Sequence, residues 1–327
     1  MQKEIKIGTR ASELALVQTR LVIAALEREH PGLRCTICPI TTAGDARTDL
    51  TLQEVNKATG TQDKGVFIAA LEEALAEGRV DCAVHSLKDM PGQCDPRFVL
   101  AAYLPREERG DVLVVKPGAR MDYPTIATGS VRRAHFMRCY RSGRCRIVPT
   151  RGNVQTRLRK LLENDDVDAT LLARAGLNRL GYTGHSLTMD GKTLHLVDLS
   201  EDSFMPAPGQ GTIVVETRAD DTAMQQLLAP VNDAHAAMEA RCERAFLALL
   251  GADCSVPVGG YATMQGNALM FRAIYFTPQG RPIRITRRGF AADPEGVAAA
   301  AYEDLRTQLD WEPDAGRGAH TGQASTQ

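Results

Sequence analysis

Short apolar strands alternate with amphipathic helices along most of the chain. This restricts the fold to α/β architectures built on mainly parallel sheets. EIKIGTR is the first strand. Ser12 can cap the helix after it, with Leu14, Val17, Leu21 and Ala24 at helical spacing and Pro31 and Gly32 as its stop. CTICPITTAG is the next strand, and Asp63 can cap the helix GVFIAALEEALAEG. DCAVHSL is a mostly apolar strand that breaks at Lys88, Asp89, Met90 and Pro91. A second unit contains DVLVVKPG, TIATGSVRRAHFMRCY, RIVPTRGNVQTRLRKLL and DATLLARAGLNRL. FMPAPGQGTIVVETR is a return crossing, because Pro and Gly precede another apolar strand. A third unit begins near residue 222, with the long helix HAAMEARCERAFLALLG, the turn GADCSVPVGG and the strands ALMFRAIYF and IRITRRGF. The polar end, WEPDAGRGAHTGQASTQ, predicts a disordered tail.

Composition limits the partners. The 327 residues suffice for two or three domains with substantial cores. Net charge is −1, from 39 basic and 40 acidic residues, so no overall pull on nucleic acid or an anionic membrane is expected. Anion binding must then come from local clusters of arginine. MQKEIKIGTR has no apolar signal core and no stretch is long and apolar enough to span a bilayer, which predicts a cytoplasmic protein. The eight cysteines are accordingly expected as thiols. Cys35 and Cys38 form a C-x-x-C inside a strand, where positions three apart face opposite ways. No second Cys/His pair stands nearby at zinc-finger spacing, so no metal is expected.

Three features carry chemistry. The first is arginine at strand ends and turns. Arg10 closes the first strand, Arg132 and Arg133 follow the turn ATGS, and Arg151 and Arg157 flank RGNVQTR. There guanidinium groups share helix N-termini with exposed backbone N–H groups, a setting that suits a small polycarboxylate. The second is Asp89, at the carboxyl end of an apolar strand, where ligands of open α/β sheets gather. Such a carboxylate can exchange protons with a substrate nitrogen or stabilise a developing cation. His85, within the strand, is read as structural. The third is Cys254, in a loop of small residues that gives the access a nucleophilic or covalently modified thiol requires.

The segments IGTRASELALVQT, KGVFIAALEEAL, DCAVHSLKDMP, TGSVRRAH, RGNVQTRL, LARAGLNRLG, APGQG and CSVPVGGYA together resemble the porphobilinogen deaminase (hydroxymethylbilane synthase) family, in that family's order and over nearly the whole chain up to the tail. The resemblance implies two domains like those of periplasmic solute-binding proteins plus a smaller C-terminal α/β domain. The expected division is 1–103 with 203–221, then 104–202, then 222–311, with 312–327 as the tail and hinges near 103 and 203. It implies a monomeric enzyme that deaminates porphobilinogen and joins the pyrroles into hydroxymethylbilane on a dipyrromethane cofactor held by a thioether. Cys254 matches the anchoring thiol and Asp89 the catalytic acid. Lys88, Thr128, Ser130, Arg132 and Arg133 match cofactor ligands; Arg10, Ser12, Lys64, Arg151 and Arg157 match substrate ligands.

Some positions depart from the family pattern. Ala43 stands where Arg is common, Gly129 where a second Ser is usual, and Gly110 where Arg is expected. The segment before Lys64 is longer and carries Glu54 at a place often occupied by Lys. Two other readings remain open from sequence: a non-enzymatic carboxylate-binding protein of the same fold, and a degenerate or substrate-shifted paralogue.

Overall fold

A computed structural model describes residues 4–41, 68–251 and 256–310. The predicted Asp63 cap and the expected tail lie outside these residues, as do Ala43, Glu54, Lys64 and Cys254. Three sheets are present among the described residues. The first has the order β2-β1-β3-β11-β4, from Arg34–Ile40 (β2), Glu4–Arg10 (β1), Cys82–Ser86 (β3), Ile213–Arg218 (β11) and Phe98–Tyr103 (β4). β1 runs parallel to β2 and β3, whereas β11 is antiparallel to both β3 and β4.

The second sheet has the order β7-β6-β8-β5-β10-β9. Its strands are Asp111–Val115 (β5), Thr125–Ala127 (β6), Arg146–Val148 (β7), Ala169–Ala173 (β8), Ser186–Met189 (β9) and Lys192–Leu199 (β10). β6 is parallel to β7 and β8, while β5, β10 and β9 add antiparallel pairs. The sheets are therefore more mixed than the strand–helix alternation implies. A strand returning after an excursion into the other sheet, and a hairpin such as β9–β10, both enter against the parallel direction. This order, with its returning antiparallel strand, agrees with the expected solute-binding-protein-like architecture. The third sheet, Val258–Gln265 (β12), Ala268–Phe276 (β13) and Pro282–Phe290 (β14), is an antiparallel meander.

Helix α1, Glu13–Glu29, starts where expected: Ser12 has extended backbone and its Oγ accepts from the Ala15 N–H at 3.4 Å. Its buried stripe differs from the predicted one. Ala15, Gln18, Thr19, Val22 and Leu26 face the core, while Leu21 and Ala24 are exposed. Two polar side chains can sit inward because each has a partner. Gln18 Nε2 donates to Ser86 Oγ at 2.8 Å, and Thr19 Oγ1 donates to the Ala15 carbonyl at 2.9 Å. Helix α2 is Ala69–Ala76. Cys35 packs towards the core holding Val22 and Leu26, and Cys38 towards the one holding Leu71 and Val80. The two cysteines thus take opposite faces of β2. His85 is buried in β3 with its Nε2 2.9 Å from Glu216 Oε2, in the structural role read from sequence.

Helices α3 (Val131–Tyr140), α4 (Val154–Glu163) and α5 (Arg174–Arg179) serve the second sheet. After β11 come α6 (Thr222–Leu228) and α7 (Ala234–Leu250); α8 (Pro294–Asp310) closes the described chain. Met224, Leu228 and Val231 pack into the core of the first sheet. Residues 222–231 therefore belong physically with that sheet, although the sequence pattern places them in the third unit. α7 and α8 cover the meander through Cys242, Phe246, Ala298, Ala301 and Leu305. Phe136 of α3 meets Phe276 of β13 edge-on at 4.9 Å between ring centroids, which docks the meander on the second sheet.

The two crossings between the larger sheets, near 104–110 and 200–212, are bonded to each other. Leu104 N donates to the Ile213 carbonyl and Glu107 N to the Gly211 carbonyl. Gly209 and Gly211 both have positive φ, and a Cβ on Gly211 would lie 2.4 Å from the Glu107 carbonyl oxygen. Only glycine fits there. Glu243 of α7 is fully buried and accepts from Arg106, the Gly209 N–H and the Ala262 N–H, so one carboxylate ties both crossings to the third sheet. Arg109 adds a second tie: it pairs with Glu201 at 2.9 Å and lies over the Tyr261 ring at 4.0 Å. Its neighbour Gly110, which lacks the expected arginine side chain, contributes a carbonyl that accepts from the Arg174 N–H.

Candidate functional site

The carboxyl ends of strands from both larger sheets meet across the crossings. β3 ends in a 3-10 turn, Leu87–Asp89, that presents Lys88 and Asp89. Gly209 is pressed on this turn, where a Cβ would lie 3.0 Å from Lys88 N. β1 ends at Arg10. Residues 128–130 lead from β6 into α3: Thr128 Oγ1 accepts from the Ser130 N–H at 3.2 Å, and Ser130 Oγ caps the helix by accepting from the Arg133 N–H at 3.3 Å. β7 leads through Arg151 into α4, which carries Arg157.

Arg132 and Arg133 are not the open forks suggested by their sequence position. Both are buried on Asp111, the first residue of β5. Arg132 Nη2 donates to Asp111 Oδ2 at 2.7 Å; Arg133 Nε and Nη2 donate to Oδ1 at 3.0 and 2.7 Å. Their Nη1 atoms donate to the carbonyls of Met205 and Leu171. A guanidinium has five N–H groups, so each keeps some for a ligand. Burial opposes ionisation of Asp111, but Arg132 and Arg133 outweigh it and hold the carboxyl at about 2.

Gln210 connects this pair to the Leu87–Asp89 turn. It is buried, accepts from Lys88 Nζ at 3.2 Å, and donates through Nε2 to Asp111 Oδ1 at 3.1 Å and the Arg109 carbonyl at 2.7 Å. Neither Asp111 nor Gln210 was singled out from sequence. The available signals were an acidic residue heading an otherwise apolar strand, and a glutamine between two obligatory glycines.

The cations strain against one another. Burial and then repulsion from Arg133 push the Lys88 ammonium down to about 8, although Asp89 and Asp111 pull the other way. Burial, Arg133, Arg151 and Arg10 likewise depress the Arg157 guanidinium to about 10, against the attraction of Asp89. Among the described residues, Arg10, Lys88, Arg132, Arg133, Arg151 and Arg157 therefore share one electrostatic environment with Asp89 and Asp111. A ligand bearing several carboxylates relieves this repulsion. Asp89 is the single acid in the set with no side-chain hydrogen bond to another described residue, which leaves its oxygens available to a ligand.

The structure thus brings together Arg10, Lys88, Asp89, Arg132, Arg133, Arg151 and Arg157, with Thr128 and Ser130 at the entry to α3. Ser12 is engaged as the cap of α1. Lys64 and Cys254 lie outside the described residues. No group of three or more His, Cys, Asp or Glu side chains that could hold a metal occurs among the described residues. No helix among them is long and apolar enough to cross a membrane.

Residues 5–226 match the family model described as porphobilinogen deaminase, dipyromethane cofactor binding domain, and residues 237–306 match that of the porphobilinogen deaminase C-terminal domain. A porphobilinogen deaminase from Roseiflexus sp. (strain RS-1) is 43% identical over 312 residues, covering 94% of this chain and 97% of the relative. The enzyme of that name from Carboxydothermus hydrogenoformans is 36% identical over 313 residues, covering 94% and 95%. Among solved structures, a putative LysR family transcriptional regulator from Pseudomonas aeruginosa matches at 15% identity and a TM-score of 0.42, covering 71% of this chain and 70% of that one.

Proposed function

This chain belongs to the porphobilinogen deaminase family, and we propose that it acts as a hydroxymethylbilane synthase, removing ammonia from porphobilinogen and joining the pyrroles head to tail into the linear tetrapyrrole. The observation that carries this reading is the crowding of cations around Asp89. Burial and neighbouring arginines depress both Lys88, to about 8, and Arg157, to about 10, and a ligand bearing several carboxylates relieves that repulsion. Pyrroles with acetate and propionate arms are such ligands. A cytoplasmic monomer is part of the proposal.

The same donor set fits the dipyrromethane group of the family. Lys88, Thr128, Ser130, Arg132 and Arg133 would hold its acid arms, and Cys254 would anchor it. When bound, the group supplies a fixed primer with a nucleophilic pyrrole carbon. Arg10, Ser12, Arg151 and Arg157, with Lys64, would receive the incoming porphobilinogen. Asp89 would give a proton to the departing amine and, once ionised, stabilise positive charge on the pyrrole nitrogen.

Intact mass of the purified protein, combined with a porphobilinogen consumption assay, tests this directly. The expected result is a mass excess of two pyrrole units that disappears in Cys254→Ser, together with consumption of substrate. An unmodified Cys254 and no turnover would sink the proposal.

Lys88 adds a pH signature. A carboxylate bound beside it stabilises the ammonium, so the bound state has the higher pKa. Affinity is then full below about 8 and falls as pH rises above that value towards the higher pKa of the bound state. Loading of the apoprotein with its dipyrromethane group should weaken above pH 8, and Lys88→Arg, which stays charged, should flatten the loss. The same step in both proteins would remove Lys88 from ligand binding.

A further inference from the structure

Gly129 is one of the positions where this chain departs from the family pattern, and its surroundings give the departure a consequence. Thr128 N donates to the Val148 carbonyl at 2.9 Å, which continues the β6–β7 pairing one residue past the end of β6. The turn into α3 therefore runs flush against residues 149–151. A Cβ on Gly129 would lie 2.6 Å from the Thr150 carbonyl oxygen and 3.9 Å from Arg151 Cγ. The first distance is well inside contact, and the obstructing atom is backbone, so it cannot swing away as the end of a flexible side chain could. Gly129 is absent from the glycines with positive φ. Its lack of a side chain is used for space and not for an unusual torsion.

We infer that Gly129 is a positioning residue that sets how closely Arg151 approaches the entry to α3. With no side chain at 129, the Thr150 carbonyl settles into the volume a Cβ would take, and the stem of Arg151 lies over the same spot. Any side chain there must push the 149–152 segment outward and carry the Arg151 guanidinium away from Ser130, Arg133 and Arg157. The inference rests on the proposed reading of Arg151 as a ligand for a substrate carboxylate, and it identifies one reason why this chain can dispense with the second serine of the family. The acetate and propionate arms of porphobilinogen differ by one methylene in reach. A displaced Arg151 would therefore favour one arm over the other.

A double-mutant cycle of Gly129→Ser with Arg151→Ala tests the inference, with Gly129→Ala as a milder probe should the serine variant fold poorly. In the otherwise unchanged protein, Gly129→Ser is expected to lower kcat/KM for porphobilinogen about ten- to a hundredfold. The loss should fall on KM more than on kcat. In the Arg151→Ala background the same substitution should cost almost nothing further, because the two residues act through one contact. Hydrogen exchange at the Thr128 amide should quicken in Gly129→Ser as the segment is displaced. Equal losses in both backgrounds, with normal turnover by the parent protein, would overturn the role of Gly129 alone. A parent protein that consumes no porphobilinogen would overturn the reading of the site and this inference with it.

Discussion

Asp89→Ala is expected to lower porphobilinogen turnover by about 10²–10⁴-fold, the usual contribution of a positioned acid or base, while thermal unfolding stays close to that of the parent. The two halves of this expectation have separate physical causes. Asp89 has no side-chain hydrogen bond to another described residue, so its removal leaves no buried donor unsatisfied. It stands at the end of a 3-10 turn whose backbone is fixed independently: the Met90 N–H donates to the Leu87 carbonyl, and Gly209 packs on the turn. What disappears is the acid proposed to serve the departing amine and the negative charge set among six cations. Asp89→Asn also removes both. It keeps the shape and removes the charge, so it should be nearly as damaging as alanine. Rates within a few-fold of the parent in both variants, measured as porphobilinogen consumed and as tetrapyrrole formed, would exclude Asp89 from the chemistry.

The parts of this site that were legible in the sequence are those made within a few residues. Arg10 before a helix start, Ser130 ahead of Arg132 and Arg133, and Asp89 after an apolar strand are local patterns, and each falls at a strand end in the structure. What was not legible depends on which strands become neighbours. Asp111 is 21 and 22 positions from the arginines it binds, and Gln210 is 122 positions from Lys88. No periodicity encodes those pairings; they follow from β5 lying beside β8 and from the return of the chain through 209–211. The buried face of α1 was misread for a related reason. An apolar count favours Leu14, Val17, Leu21 and Ala24, whereas Gln18 goes inside because Ser86, 68 positions away, satisfies its amide. Gly129 shows the limit most clearly: sequence marks it as unusual, and only the approach of Thr150 shows what a side chain there would strike.

Asp111→Ala is expected to destabilise the protein by about 3–5 kcal/mol, as breaking a buried ion pair typically does, and to lower Tm by roughly 10 °C. The cost arises from what is left behind. Arg132 and Arg133 would remain buried with their carbonyl partners Met205 and Leu171 but without a counter-charge, and Gln210 Nε2 would lose one acceptor. The pH dependence has a definite sign. Asp111 is held at about 2, below an unfolded carboxyl, so its stabilisation is complete above the ordinary carboxylate range and is lost as pH falls through about 2. Acid unfolding of the parent should therefore include a step that Asp111→Ala lacks. A second readout distinguishes an electrostatic role from simple loss of structure. Asp111 is one of the two carboxylates that raise the Lys88 ammonium against burial and Arg133. Without it, Lys88 loses its proton at lower pH, and the weakening of dipyrromethane loading should begin below 8 instead of above it. Asp111→Asn, which keeps an acceptor for Arg133 and Gln210, should recover part of the Tm but not the position of that pH step. An unchanged Tm together with an unchanged step would mean that Asp111 neither holds the two arginines nor sets the charge state of Lys88.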